Sequence, residues 1–244
     1  VVRVPVPAVA AVLLGFGVAV FGHTIDLGIA DRAFDASSAT WLVDHRPGGW
    51  RFAFYDGPKY ALVLFGMALL AGLFCHRRLD GDRQQRQAVL FLFLCLAIVP
   101  SVTGAVKSAS GISCPYATER YGGHMPDANG RFSLAGFTDP SRTDGCWPSG
   151  HVSGAFALLG ILCLNVPKRR LLAAAATTAG VAMGGYQVLR GAHFASHIVV
   201  SFCIATIVVT VLQQLLLTRQ ADVRVRSPAV NKPRTRAVFA KSGR

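Results

Sequence analysis

The sequence predicts an all-α protein, a polytopic bundle of six transmembrane helices whose reactive side chains gather at the extracytoplasmic ends. Only 15% of its 244 residues are charged and 52% are hydrophobic, whereas soluble domains carry about 25% charged residues. Six apolar stretches without a charge recur along the chain, and a transmembrane helix needs roughly 20 largely apolar residues. Composition and pattern together therefore favour a membrane bundle over a soluble domain.

The six stretches are predicted as spans in chain order. They cover residues 6–22, 60–75, 88–106, 152–166, 171–189 and 198–217. The shorter stretches are completed by uncharged neighbours such as residues 148–151, and spans joined by short polar turns form antiparallel hairpins. The first stretch could instead be a signal peptide. Because only Arg3 precedes it and no Ala-x-Ala site follows Gly22, an uncleaved span is favoured.

The basic residues are unevenly distributed along a chain whose net charge is +13. Such a balance can indicate nucleic-acid binding, but here most Lys and Arg residues fall on one side of a six-span threading. The positive-inside rule then places both termini in the cytoplasm. Residues 1–218 are predicted to form the membrane domain. The basic tail, 219–244, is polar and without periodicity, which predicts a disordered segment drawn to anionic lipid headgroups rather than to nucleic acid.

This orientation places two long loops outside. The first, 23–58, interleaves aromatic residues with charges and is either an interfacial amphipathic segment or an ordinary surface loop. The second, 108–147, is rich in Gly, Pro, Asp and Arg and is predicted to cap the site.

The cysteines divide by location. Cys114 and Cys146 are the two that lie in an outer loop, where an oxidising compartment permits a disulfide worth about 3–4 kcal/mol. Two free thiols are the alternative. The remaining cysteines are predicted to be free and buried; they are Cys75, Cys95, Cys163 and Cys203.

Pro148, Ser149, Gly150 and His151 begin the fourth span and suit anion binding. Proline is tolerated in the first turn of a helix, Gly150 allows close approach to the backbone, and the free N–H groups of a helix start bind phosphate oxygens. His151 then faces the bound group and can donate a proton. The four residues alone are weak evidence, but their place at the outer end of a span strengthens it.

A second polar cluster precedes the sixth span. His193 and His197 are four residues apart, so on a helix they share a face and can hydrogen-bond to each other. Two histidines without a nearby carboxylate make a poor metal site. Arg190 offers a planar fork for phosphate oxygens, and Lys107 offers a point charge at the outer end of span three. Taken singly, each of these residues has a structural explanation, such as a buried structural histidine or a lysine that reaches the membrane interface.

With these motifs the chain resembles the phosphatidic acid phosphatase type 2 superfamily of membrane lipid phosphatases. The central motif is matched in full by residues 148–151, and His193 matches the last histidine. Cys114 stands in the slot of the family's first arginine, Gln187 in that of the second, and His197 in that of an aspartate. Tyr186 replaces a serine.

A bacterial branch of the same superfamily carries the variant residues as well. Cys114-Pro115, Tyr121-Gly122-Gly123, Cys146 and residues 190–197 are similar to that branch. The resemblance therefore covers a motif core at 107–201 and implies a bacterial inner-membrane protein with an extracytoplasmic active site.

The resemblance implies two-step phosphoryl transfer without a metal or other cofactor. His193 attacks phosphorus to form a phosphohistidine, and His151 protonates the leaving oxygen and then activates water. His197 orients His193, and because it is not an acid, activity is expected to fall on the acid side as His197 titrates.

Four cationic or backbone groups are implied to neutralise the phosphoryl oxygens. They are Lys107, Arg190 and the backbone at Ser149 and Gly150. Arg120 is either a substitute for the missing first arginine or a solvated loop charge, and its place in the loop favours the second.

Three classes of function remain open on these residues. The first is a lipid phosphatase acting on lipid A, phosphatidylglycerol phosphate, phosphatidic acid or undecaprenyl pyrophosphate. The second is a phosphotransferase that moves the phosphoryl group from a polyprenyl pyrophosphate to lipid A. The third is a non-catalytic lipid-binding or transport protein, which the intact His151 and His193 argue against.

Overall fold

A computed structural model describes residues 5–43, 48–78, 82–138 and 145–218. These residues are mostly helical, as predicted. The predicted tail, 219–244, lies outside the described residues.

The helices are joined by short connections, except for the longer ones after Ala33 and after Ser110. The N-terminal half contains α1 (Val6–Phe21), α2 (His23–Ala33), α3 (Gly49–Arg51), which continues through a π-helical turn (Phe52–Asp56) into α4 (Gly57–Arg78), and α5 (Arg83–Ser110). The C-terminal half contains α6 (Gly150–Ala157), extended by a 3-10 segment (Leu158–Cys163), α7 (Arg169–Leu189), and α8 (Ala195–Gln213), extended by a π-helical turn (Gln214–Thr218). Two short antiparallel strands, β1 (Phe34–Asp35) and β2 (Thr40–Trp41), follow α2.

Within the described residues, three helices are long and apolar enough to cross a membrane. They are Gly49–Cys75, Arg83–Ala117 and Ala195–Thr218, and the pair α1 and α2 makes a fourth if it counts as one span. The predicted fourth span is a shorter apolar helix, Gly150–Cys163, and α7 falls outside the set. These lengths fit a membrane protein.

The first predicted span, 6–22, corresponds to α1, and the structure adds a second helix beyond a bend. α1 and α2 meet at 65° around Gly22, where a Cβ would lie 2.4 Å from the Val18 carbonyl oxygen. Residues 23–33, predicted to begin a loop, therefore form a helix that turns towards the reactive end of the bundle.

The core lies where α5, α6, α7 and α8 meet. Phe91, Cys95, Val152 and Phe156 are buried there with Val209. Two glycines of α7 permit this close packing, since a Cβ at either would lie 2.6 Å from the facing side chain, Phe156 in one case and Ile198 in the other. α1 packs along α8, whereas α4 packs mainly on α5 and its apolar window is 0% buried.

Candidate active site

Three histidine rings stand in a row at one end of the bundle. His151 Nδ1 lies 3.2 Å from His193 Nε2, and His193 Nδ1 lies 3.4 Å from His197 Nδ1. His193 and His197 are 2% and 1% exposed, whereas His151 is partly exposed. The central ring thus has one nitrogen towards the open side of the site and one towards the interior.

His193 owes its position to a tight turn between α7 and α8. The Gln187 carbonyl accepts hydrogen bonds from the N–H groups of Ala192 and His193. Gly191 has φ +69°, and a Cβ there would lie 2.2 Å from the Trp41 ring. His193 therefore precedes α8 instead of sharing a helical face with His197, and the two rings meet because the turn folds back.

The start of α6 is tied to α8 by its backbone. The Ser149 N–H donates to the His197 carbonyl at 3.2 Å, and the Ser201 hydroxyl donates to the carbonyls of Ser149 and His197 at 2.8 Å each. The predicted phosphate-binding N–H of Ser149 is thus engaged in this structure, because α6 and α8 pack closely here. The Ser149 hydroxyl is buried and has no hydrogen-bond partner among the described residues, so it is the group of this residue left to meet a ligand.

Gly150 is the first residue of α6, and Pro148 precedes it in a cis peptide bond after Trp147. A Cβ at Gly150 would meet nothing within 4 Å. The helix start therefore faces open space, as a backbone that binds a phosphoryl group requires.

The predicted cations flank this space. Lys107 lies in the last turn of α5 and lines the same cavity as Gly150 and His151. Arg190 ends α7, with its guanidinium carbon 5.6 Å from the Tyr186 ring centroid. Both act electrostatically on His151, and so does Lys59.

Lys59 was missed in the sequence. It lies in the first turn of α4 and lines the cavity with Lys107. Its signal was available, since it stands at the outer end of a predicted span as Lys107 does. It lies between the predicted first loop, 23–58, and the predicted span, 60–75, and belongs to neither.

Asp26 is a second residue that the motifs do not contain. This carboxylate on α2 is 5% exposed and accepts hydrogen bonds from the N–H of Ser196, at 2.8 Å, and from its hydroxyl. It thereby satisfies a backbone N–H of the first turn of α8, one residue before His197. An acid near the start of the second helix of an apolar, bent pair is the sequence signal for such a role.

The loop after α5 covers the histidines from one side. The structure joins Cys114 and Cys146 in a disulfide with an S–S distance of 1.99 Å, and Cys146 Sγ lies 3.5 Å from His193 Nδ1. Cys75, Cys95, Cys163 and Cys203 are free as predicted, but only Cys95 and Cys203 are buried, whereas Cys163 is partly buried and Cys75 is exposed.

Arg120 is held away from the histidines by an ion pair. Its guanidinium makes two hydrogen bonds to the Asp31 carboxylate, at 2.7 and 2.8 Å, and Tyr121 donates to the same carboxylate. Both charged side chains are about two-fifths exposed. Arg120 therefore anchors the loop to α2 and does not stand in for the missing arginine.

The protonation of His193 follows from its burial. Burial lowers the pKa of His193 well below its usual value, and the neighbouring His197, His151 and Lys107 lower it further. The ring is neutral at neutral pH, so one of its nitrogens carries a lone pair and can act as a nucleophile.

A cavity of about 590 Å³ opens from His151 along α4 and α5. The end near His151 also contains Lys59 and Lys107, and the wall along α4 and α5 beyond them is mostly apolar. That wall includes Leu62, Val63, Met67, Leu70, Phe93, Leu96 and Ala97. The reactive end of the bundle is thus continuous with an apolar groove.

Fold and site together define a helical protein with three adjacent histidines flanked by Lys and Arg side chains. A family model described as the PAP2 superfamily matches residues 88–221, more than half of the chain. The chain therefore belongs to the PAP2 superfamily, the phosphatidic acid phosphatase type 2 group that the motifs resemble. Members of this superfamily are phosphatases, which at this level makes the chain a phosphoric monoester hydrolase. Neither the curated proteins nor the solved structures contain a match.

Proposed function

We propose that the protein is an integral membrane phosphatase that removes phosphate from a phosphate ester or pyrophosphate of a lipid through a phosphohistidine on His193. The observation that carries the lipid part of the proposal is the cavity. Its cationic end suits a phosphate, and its apolar wall suits the chain to which that phosphate is attached.

The groove has the dimensions of a lipid chain in one leaflet. From Lys107 to Phe93, α5 rises about 21 Å at 1.5 Å per residue, and half of a bilayer's hydrocarbon core is about 15 Å. The α4 wall is open sideways, with Val63 53% exposed and Met67 62% exposed. A chain can therefore enter from the surrounding membrane without leaving an apolar medium.

The two ring nitrogens of His193 have different roles in the proposed reaction. Its Nε2 attacks phosphorus, a P–N bond forms, and the bond from phosphorus to the lipid oxygen breaks as His151 gives that oxygen a proton. Its Nδ1–H donates to His197 Nδ1 meanwhile, which supports the positive charge that develops on the ring. Water then attacks phosphorus, His151 takes the water's proton, and the P–N bond breaks to release phosphate.

Substrate entry requires His151 to move. Reacting atoms approach to about 3–3.5 Å before they bond, and His151 Nδ1 lies 3.2 Å from His193 Nε2, where phosphorus would come. The His151 ring packs on Tyr55 with centroids 4.5 Å apart. A rotation away from His193 would leave it beside the leaving oxygen, while Lys107, Arg190, the Ser149 hydroxyl and the Gly150 N–H surround the remaining oxygens.

We place this site on the extracytoplasmic face of a bacterial inner membrane, in a six-span chain with both termini and the basic tail in the cytoplasm. The asymmetry of Lys and Arg supports this orientation. Reporter fusions after Arg78, Arg170 and Arg236 are expected to indicate the cytoplasm, and a fusion at Asn129 the periplasm. A cytoplasmic signal at Asn129 would put the histidines on the wrong face.

The groove yields a test that separates lipid hydrolysis from general phosphatase activity. Gly66 lines the groove, and a Cβ there meets nothing within 4 Å. Gly66→Leu is expected to fill the groove and raise KM for long-chain lipid phosphates at least about tenfold, since the lost burial of two methylenes alone is worth about 1.6 kcal/mol. Turnover of a water-soluble short-chain phosphate should stay within twofold of wild type.

Gly17→Leu is the matched control, because Gly17 of α1 also has open space and does not line the groove. The assay measures phosphate release from the four candidate lipids and from the soluble ester in detergent micelles. Equal effects of Gly66→Leu on both kinds of substrate would refute the groove as the chain site. Transfer of phosphate to added lipid A in place of release would identify the phosphotransferase alternative.

A further inference from the structure

Three buried ligand atoms lie together behind the nucleophile. Cys146 Sγ, His193 Nδ1 and His197 Nδ1 stand within 4.8 Å of one another. The Sγ to Nδ1 distance at His193 is 3.5 Å, and the two Nδ1 atoms are 3.4 Å apart. All three residues are at most 2% exposed.

The two separations that involve His193 match those between ligands of a tetrahedral zinc site. Zn²⁺ binds histidine nitrogen at about 2.0–2.1 Å and cysteine sulfur at about 2.3 Å, so tetrahedral ligands stand about 3.4 Å apart for two nitrogens and about 3.6 Å for nitrogen and sulfur. Two histidines alone make a poor site, but a thiolate supplies the third ligand and a negative charge. That charge also offsets the repulsion of a cation by nearby Lys107, which acts electrostatically on both histidines.

We propose that the thiol form of Cys146 joins His193 and His197 to bind Zn²⁺, and that the Cys114–Cys146 disulfide prevents this site from forming. In the structure the Cys146 sulfur is bonded to Cys114 and is not a thiolate ligand. A thiol or phosphine reductant delivers two electrons, and with two protons the disulfide becomes two thiols. The Cys146 thiol then releases its proton as sulfur binds zinc.

Cys146 is held in place by more than the disulfide. Its N–H donates to the Ile112 carbonyl at 2.7 Å, and Cys146 and the adjacent Trp147 are 0% and 8% exposed. The sulfur therefore stays beside His193 when the bond to Cys114 is removed.

Zinc at this site would inhibit the proposed phosphoryl transfer. This step of the inference rests on the proposed function. A neutral imidazole that binds a metal through Nδ1 carries its proton on Nε2. The nucleophilic lone pair of His193 is then absent. By preventing zinc binding, the disulfide would thus keep the lone pair of His193 available for phosphoryl transfer.

Two single substitutions test the metal site, because both remove the disulfide and only one removes a ligand. Cys114→Ser leaves a free Cys146 thiol beside the histidines, whereas Cys146→Ser removes it. Purified proteins are equilibrated with zinc sulfate without substrate, separated from free metal, and analysed for zinc per chain. Cys114→Ser is expected to hold one equivalent more than Cys146→Ser and more than oxidised wild type.

Wild type reduced with a phosphine is expected to gain the same one equivalent of zinc per chain. This measurement tests the metal site even if Cys114→Ser does not fold. Equal zinc in the two variants, or no gain on reduction, would overturn the proposal. Since zinc content needs no substrate, these results do not depend on phosphatase activity. In the activity arm, zinc should abolish phosphate release by Cys114→Ser and a chelator should restore it, with oxidised wild type unaffected.

Discussion

His193→Ala is expected to abolish phosphate release and the acid-labile phosphoenzyme together. Removing a covalent nucleophile takes away the route itself, and the loss in kcat in comparable enzymes reaches about 10⁶-fold. The measurement is phosphate release from a lipid phosphate, combined with trapping of radiolabelled phosphoenzyme. Near-normal release by this variant would show that the reaction does not pass through His193.

His151→Ala should behave differently, because the role proposed for His151 is that of acid and base. A loss of about 10²–10⁴-fold is expected, with phosphate binding largely intact. His193→Gln keeps a polar side chain in the buried position. It should be as inactive as His193→Ala, which would show that misfolding is not the cause of the lost activity. His124→Ala is the matched control, since His124 lies exposed in the cap loop and its loss should leave the rate unchanged.

The second large effect is expected at His197. His197→Ala removes the group that faces His193 Nδ1 at 3.4 Å, and a loss of about 10³–10⁴-fold is expected by comparison with removal of the orienting aspartate of a catalytic triad. His197→Asn retains an acceptor near the same place and should recover part of the rate. A full loss in both variants, with normal melting temperatures, would assign His197 more than an orienting role.

The pH dependence of His197→Asp shows whether His197 or His193 is the group whose titration sets the acid limb of activity. If a titrating His197 set the acid limb, that limb would lie near the reference pKa of about 6.5, and aspartate would move it to lower pH. The structure favours the opposite sign. Burial holds the pKa of His193 well below its usual value, so wild type should keep its neutral nucleophile well below pH 6.5.

A carboxylate beside His193 favours the imidazolium form. His197→Asp should therefore raise the pKa of His193 and move the acid limb of kcat/KM, which reports the free enzyme, to higher pH. A shift of the limb to lower pH would restore the account based on titration of His197.

Much of the helical framework could be predicted because long apolar segments in a membrane are restricted to few backbone conformations. In an apolar medium each segment must satisfy its own N–H and C=O groups, and a helix does so locally. Three predicted spans, 60–75, 88–106 and 171–189, lie within α4, α5 and α7. The stretch 152–166 was less well predicted, since α6 gives way to a 3-10 segment that ends at Cys163.

The motif residues identified the site, but not its internal contacts. His151, His193 and His197 were singled out by residue type and position. Their order in space depends on the turn at Gly191, which places His193 ahead of α8. Asp26 and Lys59 come from helices with no motif, so only packing shows that Asp26 contacts Ser196 and that Lys59 lines the cavity with Lys107.

By itself, the sequence determined that the chain is helical and suited to a membrane, and it singled out His151, His193 and His197 as candidate site residues, because composition and local spacing encode these properties. The tertiary structure alone decided which ring nitrogens face each other, that the Ser149 N–H is engaged by α8, that Arg120 pairs with Asp31, and that the cationic end continues into an apolar groove. Each of these depends on atoms far apart in the chain, whose distances follow from how the helices bend and pack.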